Sequence, residues 1–141
     1  MGKGKNSQGY SLELFFKALS DPTRLRLLNL IKDGEEVCVC FFVEILKSSQ
    51  PKVSRHLGFL RRAGLVKTRR EGKWMHYRLM NPPDPYATRI LGEVFARLSG
   101  DPAMKAECAQ LVNFSCSPPS RVPAALQGAP RPISADALLD H

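Results

Sequence analysis

No apolar run in these 141 residues is long enough to cross a bilayer: the longest, Val37 to Leu46, is short and carries Glu44. The opening residues, Met1 to Tyr10, lack the apolar stretch a secretory signal needs, so the chain is expected to be cytoplasmic and to have no membrane partner. No repeat at solenoid or propeller spacing is present. Neither a nucleophile–base pair nor a phosphate-binding loop occurs, and the cysteines have no recognisable His/Asn partner, which argues against an enzyme. Cysteine itself is scarce, limited to Cys38, Cys40, Cys108 and Cys116. In a reducing compartment such thiols suit metal or redox chemistry better than a disulfide framework. Acidic residues are also few, 13 against 21 Lys+Arg, and the net charge of +8 points to an anionic partner.

The positive charge is concentrated. Residues 47–78 hold ten Lys or Arg against Glu71 alone, a net +9 that exceeds the charge of the whole chain. Around this stretch the apolar spacing predicts helices over Ser11 to Leu19 and from Pro22, capped by Asp21, to Gly34. Val37 to Leu46 is expected to begin extended and end helical. Ser49 and Pro51 open a further helix, about Gln50 to Ala63, in which Val53, Leu57 and Leu60 share the inward face. Leu65 to Arg70 and Lys73 to Met80 read as strands joined at Glu71-Gly72, with Trp74, Tyr77 and Leu79 expected to pack on the core. Tyr86 to Leu98 and Pro102 to Phe114 return to helical spacing. The chain therefore divides into a flexible segment 1–10, a domain 11–99, a C-terminal helical segment 100–116 carrying Cys108 and Cys116, and a Pro-rich tail 117–141 that reads as disordered.

Helix, helix, turn, helix and basic hairpin is the order of a winged helix-turn-helix, a mainly α fold with a small β-hairpin. Its second motif helix should enter the major groove. Gln50, Lys52, Ser54, Arg55 and His56 then lie near its outward start, where Gln and Arg suit base edges and Lys and Ser suit phosphate. Arg61 and Arg62 are expected on the backbone, and Arg69, Arg70, Lys73 and Arg78 surround the hairpin turn. His56 and His76 are expected to be phosphate contacts or surface residues rather than metal ligands. One such unit reads few base pairs, so a homodimer on an inverted repeat of double-stranded operator DNA is expected, paired through Leu12–Leu19 and Tyr86–Leu98.

The strings KALSDPTRLRLLNLI, EVCVC, SSQPKVSRHLGFLRRAGLV and RREGKWMHYRL, in this order, closely resemble the arsenical-resistance repressors of the ArsR/SmtB family over Phe15 to Met80. The resemblance implies a homodimeric repressor that leaves its operator when trivalent arsenic or antimony binds cysteine thiolates. By position, Cys38 and Cys40 match the first two cysteines of the family's Cys-Val-Cys-x-x-Cys site. The third position is Val43 here, and Phe41 stands where an Asp usually follows the second cysteine. Tyr86 to Leu98 contains no His, which disfavours the zinc-sensing branch that builds its site on that helix.

Thiolates are soft donors and favour thiophilic ions. On an ideal helix residues i and i+2 point about 200° apart, so Cys38 and Cys40 can share one ion only if the segment starts extended or unwinds. A third thiolate would come from Cys108 or Cys116, within one subunit or across the dimer, with a slight preference for Cys116; without one, the pair forms a two-thiolate site suited to a monosubstituted trivalent organoarsenical. Two other readings stand beside this one: a thiol redox switch on the same fold, released by peroxide, and a metalloid-binding buffer that does not act on DNA.

Overall fold

The computed structural model describes residues 10–134; the rest of the segment 1–10 and residues 135–141 lie outside it. In chain order the elements are α1 (Leu12–Leu19), α2 (Pro22–Ile31), β1 (Val37–Cys38), α3 (Val39–Leu46), α4 (Gln50–Arg62), β2 (Val66–Glu71), β3 (Trp74–Leu79), α5 (Pro85–Ser99) and α6 (Pro102–Cys116). Two single 3-10 turns follow, Pro119–Arg121 and Ala124–Leu126.

The helix starts are fixed by short-range chemistry. Ser11, Asp21, Ser49, Asp84 and Asp101 each accept a backbone N–H of the following turn, and α2, α4, α5 and α6 carry proline in their first turn, where no intrahelical N–H is lost. Gly64, at φ +81°, ends α4 in the left-handed conformation and turns the chain into β2. Val53, Leu57 and Leu60 are fully buried, as their spacing predicts, among Leu27, Leu28, Phe41 and Phe42. Trp74, Tyr77 and Leu79 pack against this core.

The sheet has three strands rather than two. β3 lies at the centre, antiparallel to β2 on one side and β1 on the other, with Val37 opposite Tyr77 and Cys38 opposite His76. The hairpin turn is Gly72-Lys73 instead of Glu71-Gly72: Glu71 pairs with Trp74, and Gly72 takes φ +59°.

The disordered tail expected over 117–141 is overturned for residues 117–134. Glu36 and Ile133 exchange both backbone hydrogen bonds at 2.9 Å, which extends the sheet beyond β1 by one rung. Val122, Leu126 and Ala129 are buried in the same core as α3. Arg131 donates to the Phe114 carbonyl and Gln127 to that of Val122. Proline content suggested disorder, but it is widely spaced apolar residues that tie this strap down. If so, Leu126→Ala destabilises the protein by about 2–4 kcal/mol in denaturant unfolding, as for other buried leucines; a disordered tail would leave the midpoint unchanged.

Candidate nucleic-acid interface and thiol site

The outward face of α4 presents Gln50, Lys52 and Arg55 to solvent, with Ser54 half-buried beside them and Arg61 and Arg62 exposed at the far end. On the hairpin, Arg70 and Lys73 are exposed, Arg78 is half-buried, and the Lys73 ammonium lies 5.1 Å from the centre of the Trp74 ring. These groups form one basic surface from the recognition helix to the hairpin turn.

Three residues expected on this surface are committed elsewhere. His56 turns toward α2, its Nδ1 3.2 Å from the Arg24 guanidinium and 3.7 Å from the Asp21 carboxylate. Burial, outweighing the attraction of Asp21, holds its pKa below the usual histidine value. Arg69 makes hydrogen bonds of 2.6–3.1 Å to both carboxylate oxygens of the buried Glu36. That contact is the main cause of the lowered Glu36 pKa. His76 is buried at the centre of β3, with Nε2 2.8 Å from Glu71 Oε1 and Nδ1 without a partner. His76 is therefore not a surface residue, His56 is half-buried, and Arg69 is 46% exposed on the hairpin but tied to Glu36; the sequence does not reveal these partners because they lie on other elements.

Arg24, which sequence reasoning passed over, organises the helix-turn-helix. Its guanidinium donates to the carbonyls of Lys17 and Ala18 at the end of α1 and sits 4.3 Å from the centre of the Phe59 ring on α4. One side chain thereby joins α1, α2 and α4.

The thiol site is built at a helix start. Cys38 ends β1 and is the N-cap of α3 in extended conformation, φ −70° and ψ 146°, while Cys40 lies in the helix's first turn. Helix begins at Val39, earlier than the extended segment expected up to Phe41. The sulfurs nevertheless converge, because an N-cap side chain projects back over the first turn: Cys40 Sγ donates to Cys38 Sγ at 3.3 Å. This thiol-to-thiolate hydrogen bond, opposed by burial and aided by the backbone N–H groups of Cys40 and Val39, pulls the Cys38 pKa down to about 6. The same contact and burial push Cys40 up. Of the two sulfurs, Cys38 is therefore the one that favours the thiolate.

The other two cysteines are not brought to this pair. Cys108 lies at the α2–α6 seam, 3.3 Å from Lys32 Nζ and 3.5 Å from the Asn29 carbonyl, and Cys116 is exposed at the end of α6. Among the described residues no three His, Cys, Asp or Glu side chains form a ready ligand cluster. In protein carrying serine at 108 and 116, thiolate absorbance should rise through a midpoint near 6, and Cys40→Ala should move that midpoint toward the ordinary thiol range near 9. An unchanged midpoint would show that Cys40 does not hold the Cys38 charge.

The profile described as bacterial regulatory protein, arsR family, matches residues 21–68. The arsenical resistance operon repressor of Escherichia coli (strain K12) is 45% identical over 80 residues, covering 57% of this chain and 68% of that protein. A cadmium resistance transcriptional regulatory protein CadC homolog of Staphylococcus aureus is 42% identical over 80 residues, 57% of this chain and 64% of that one. Among solved structures, HlyU from Vibrio cholerae N16961 superimposes with a TM-score of 0.51 at 31% identity, over 63% of this chain and 91% of that one. With the winged helix and basic face already described, these similarities place the chain in the arsR family of DNA-binding transcriptional regulators, which are not enzymes.

Proposed function

We propose that this chain is a metalloid-responsive repressor that binds an inverted-repeat operator as a homodimer and is released when a trivalent arsenical or antimonial bridges Cys38 and Cys40. A metal- or metalloid-responsive repressor is the part of this reading supported most broadly by the related arsenic and cadmium regulators. The observation that carries the finer part is the sulfur spacing. With sulfur bonds of about 2.3 Å, two sulfurs 3.3 Å apart subtend an angle of about 90° at the bridged atom. A tetrahedral ion would spread them to about 3.8 Å and a linear one to about 4.6 Å at the same bond length. A narrow angle suits a pyramidal trivalent centre.

With neither Cys108 nor Cys116 at the pair, the third position on such a centre is left to a substituent the ligand brings. Val43, one turn beyond Cys40 on α3, is half-buried and apolar. A monosubstituted organoarsenical such as methylarsenite fits this two-thiolate site better than arsenite, which would need a third thiolate.

DNA is gripped by Gln50, Lys52, Ser54 and Arg55 at the start of α4, by Arg61 and Arg62 at its end, and by Arg70, Lys73 and Arg78 on the hairpin. His56 and Arg69 support this surface rather than contact the duplex. Dimerisation uses α1 and α5, where Leu12, Phe16 and Tyr86 are exposed by 44%, 47% and 66% although apolar or aromatic. Release follows from the placement of the thiols. Closing a ring between the N-cap and first turn of α3 fixes that end of the helix, and α3 packs directly on α4 through the shared core. Moving a promoter from mostly bound to mostly free requires the ligand to prefer the released form by about 5 kcal/mol, a scale within reach of metal–thiolate bonding.

Two measurements check this reading. In operator binding over a range of salt, Lys52→Ala should flatten the log–log salt slope by about one and Arg55→Ala should cost about 1–3 kcal/mol, whereas His56→Ala should leave the slope unchanged. Loss of neither contact's contribution would return the chain to a buffer that does not act on DNA. In the second, methylarsenite, arsenite and peroxide are titrated into the repressor–operator complex. Methylarsenite should free the DNA at lower concentration than arsenite, Cys38→Ser and Cys40→Ser should abolish the response, and Val43→Cys should raise sensitivity to arsenite. Release by peroxide alone would favour the redox switch.

A further inference from the structure

The thiol pair has a neighbour on the sheet whose chemistry the arsenical reading does not use. His76 faces Cys38 directly across the β1–β3 ladder, so the two side chains project from the same face of the sheet. Cβ atoms of such a cross-strand pair lie about 5 Å apart, close enough for a sulfur and a ring nitrogen to meet on one ion. The imidazole is only 1% exposed. Its Nε2 lies 2.8 Å from the Glu71 carboxylate, so in the neutral imidazole the tautomer that donates from Nε2 to Glu71 leaves the lone pair on Nδ1. That lone pair is buried and has no hydrogen-bond partner. A buried acceptor without a partner is costly, and such exceptions in folded proteins call for a physical explanation.

We propose that His76 Nδ1 is the third protein donor of a divalent-cation site with Cys38 and Cys40, taking a thiophilic ion of the cadmium, zinc or mercury class. Two thiolates and one imidazole form a donor set suited to such ions and poorly suited to Mg²⁺ or Ca²⁺. A histidine whose second nitrogen donates to a carboxylate is the arrangement that fixes the tautomer and orientation of a metal-binding imidazole. Glu71 supplies that carboxylate here. Since no three such donors are clustered among the described residues, binding would draw Cys38 and the ring together across one ladder rung and open the sulfurs toward the wider tetrahedral spacing. Glu71 also closes the hairpin turn opposite Trp74, so an ion on His76 acts on the hairpin as well as on α3. A trivalent arsenical has little use for the imidazole; His76 therefore separates two ligand classes that share the same sulfurs.

This inference rests on the thiol pair being the ligand site, and the test keeps the two claims apart. The full chain is titrated with Cd²⁺, followed by thiolate-to-metal charge-transfer absorption, and separately with methylarsenite. His76→Gln should weaken Cd²⁺ binding about tenfold or more and Glu71→Gln by about tenfold, the range seen when partners of a metal-binding histidine are removed; methylarsenite affinity should stay within about twofold. Wild-type protein labelled with ¹⁵N-histidine and loaded with ¹¹³Cd should show scalar coupling to the Nδ1 of one histidine, lost in His76→Gln. This readout remains decisive should the buried substitution impair folding. If Cys38→Ser and Cys40→Ser both bind the two probes like the wild type, the thiol site itself is wrong. If they lose both probes while the wild type shows no ¹⁵N–¹¹³Cd coupling, the imidazole assignment alone is overturned.

Discussion

A buried carboxylate holds β1, the hairpin and the C-terminal strap in one frame. Glu36 is 3% exposed, receives both arms of Arg69 from β2, and through its backbone pairs with Ile133 of the C-terminal strap. Two residues later the chain reaches Cys38. The register of β1 against β3 is thus pinned from both sides, by an ion pair reaching the hairpin and by a rung reaching the strap. An unpaired charge at this depth would be strongly destabilising, so Glu36 and Arg69 form only as a unit. This explains why a strand of two residues, too short to be stable alone, holds a defined register.

On that frame the sulfur geometry follows from helix-start physics. An N-cap residue is extended while its successors are helical, and its side chain leans over the first turn. With Cys at the cap and again two residues on, the sulfurs meet without unwinding the helix. The backbone N–H groups at this end, unsatisfied within the helix, favour negative charge there. The backbone N–H groups of Cys40 and Val39 help to lower the Cys38 pKa, although Cys38 makes no side-chain capping hydrogen bond to α3.

Much of this architecture was legible in the sequence because its determinants are local. The Asp-Pro and Ser-x-Pro starts announce four helices, and the Val53, Leu57, Leu60 spacing fixes which face of α4 looks outward. What was not legible is non-local. β1 is a strand only because Tyr77 and His76 lie beside it. The ties of His56 to Asp21 and of Arg69 to Glu36 span 35 and 33 residues of chain, and His76 is buried because β1 covers its side of β3. The strap was misread for a different reason: proline and serine dominate its composition, while three buried residues, Val122, Leu126 and Ala129, decide its placement.

The same pattern of partners constrains how a signal can travel. Between the thiols and the DNA-facing side chains lie two rigid connections of different kinds. One is apolar: α3 against α4 through Phe42, Ile45 and Leu57, where packing resists continuous deformation and a shift of one helix must be accommodated by the other. The other is polar: His76, Glu71 and Arg69 along one face of the sheet toward the hairpin turn, with hydrogen bonds that depend on the state of the imidazole. In the proposed site, a ligand that only joined the sulfurs would bear on the apolar connection, and one that also took His76 would bear on both. Arg24 ties α1, α2 and α4 into one body, so a displacement of α4 carries its neighbours with it rather than dissipating locally. The apolar surface of α1 that carries the exposed Leu12 and Phe16 belongs to that same body.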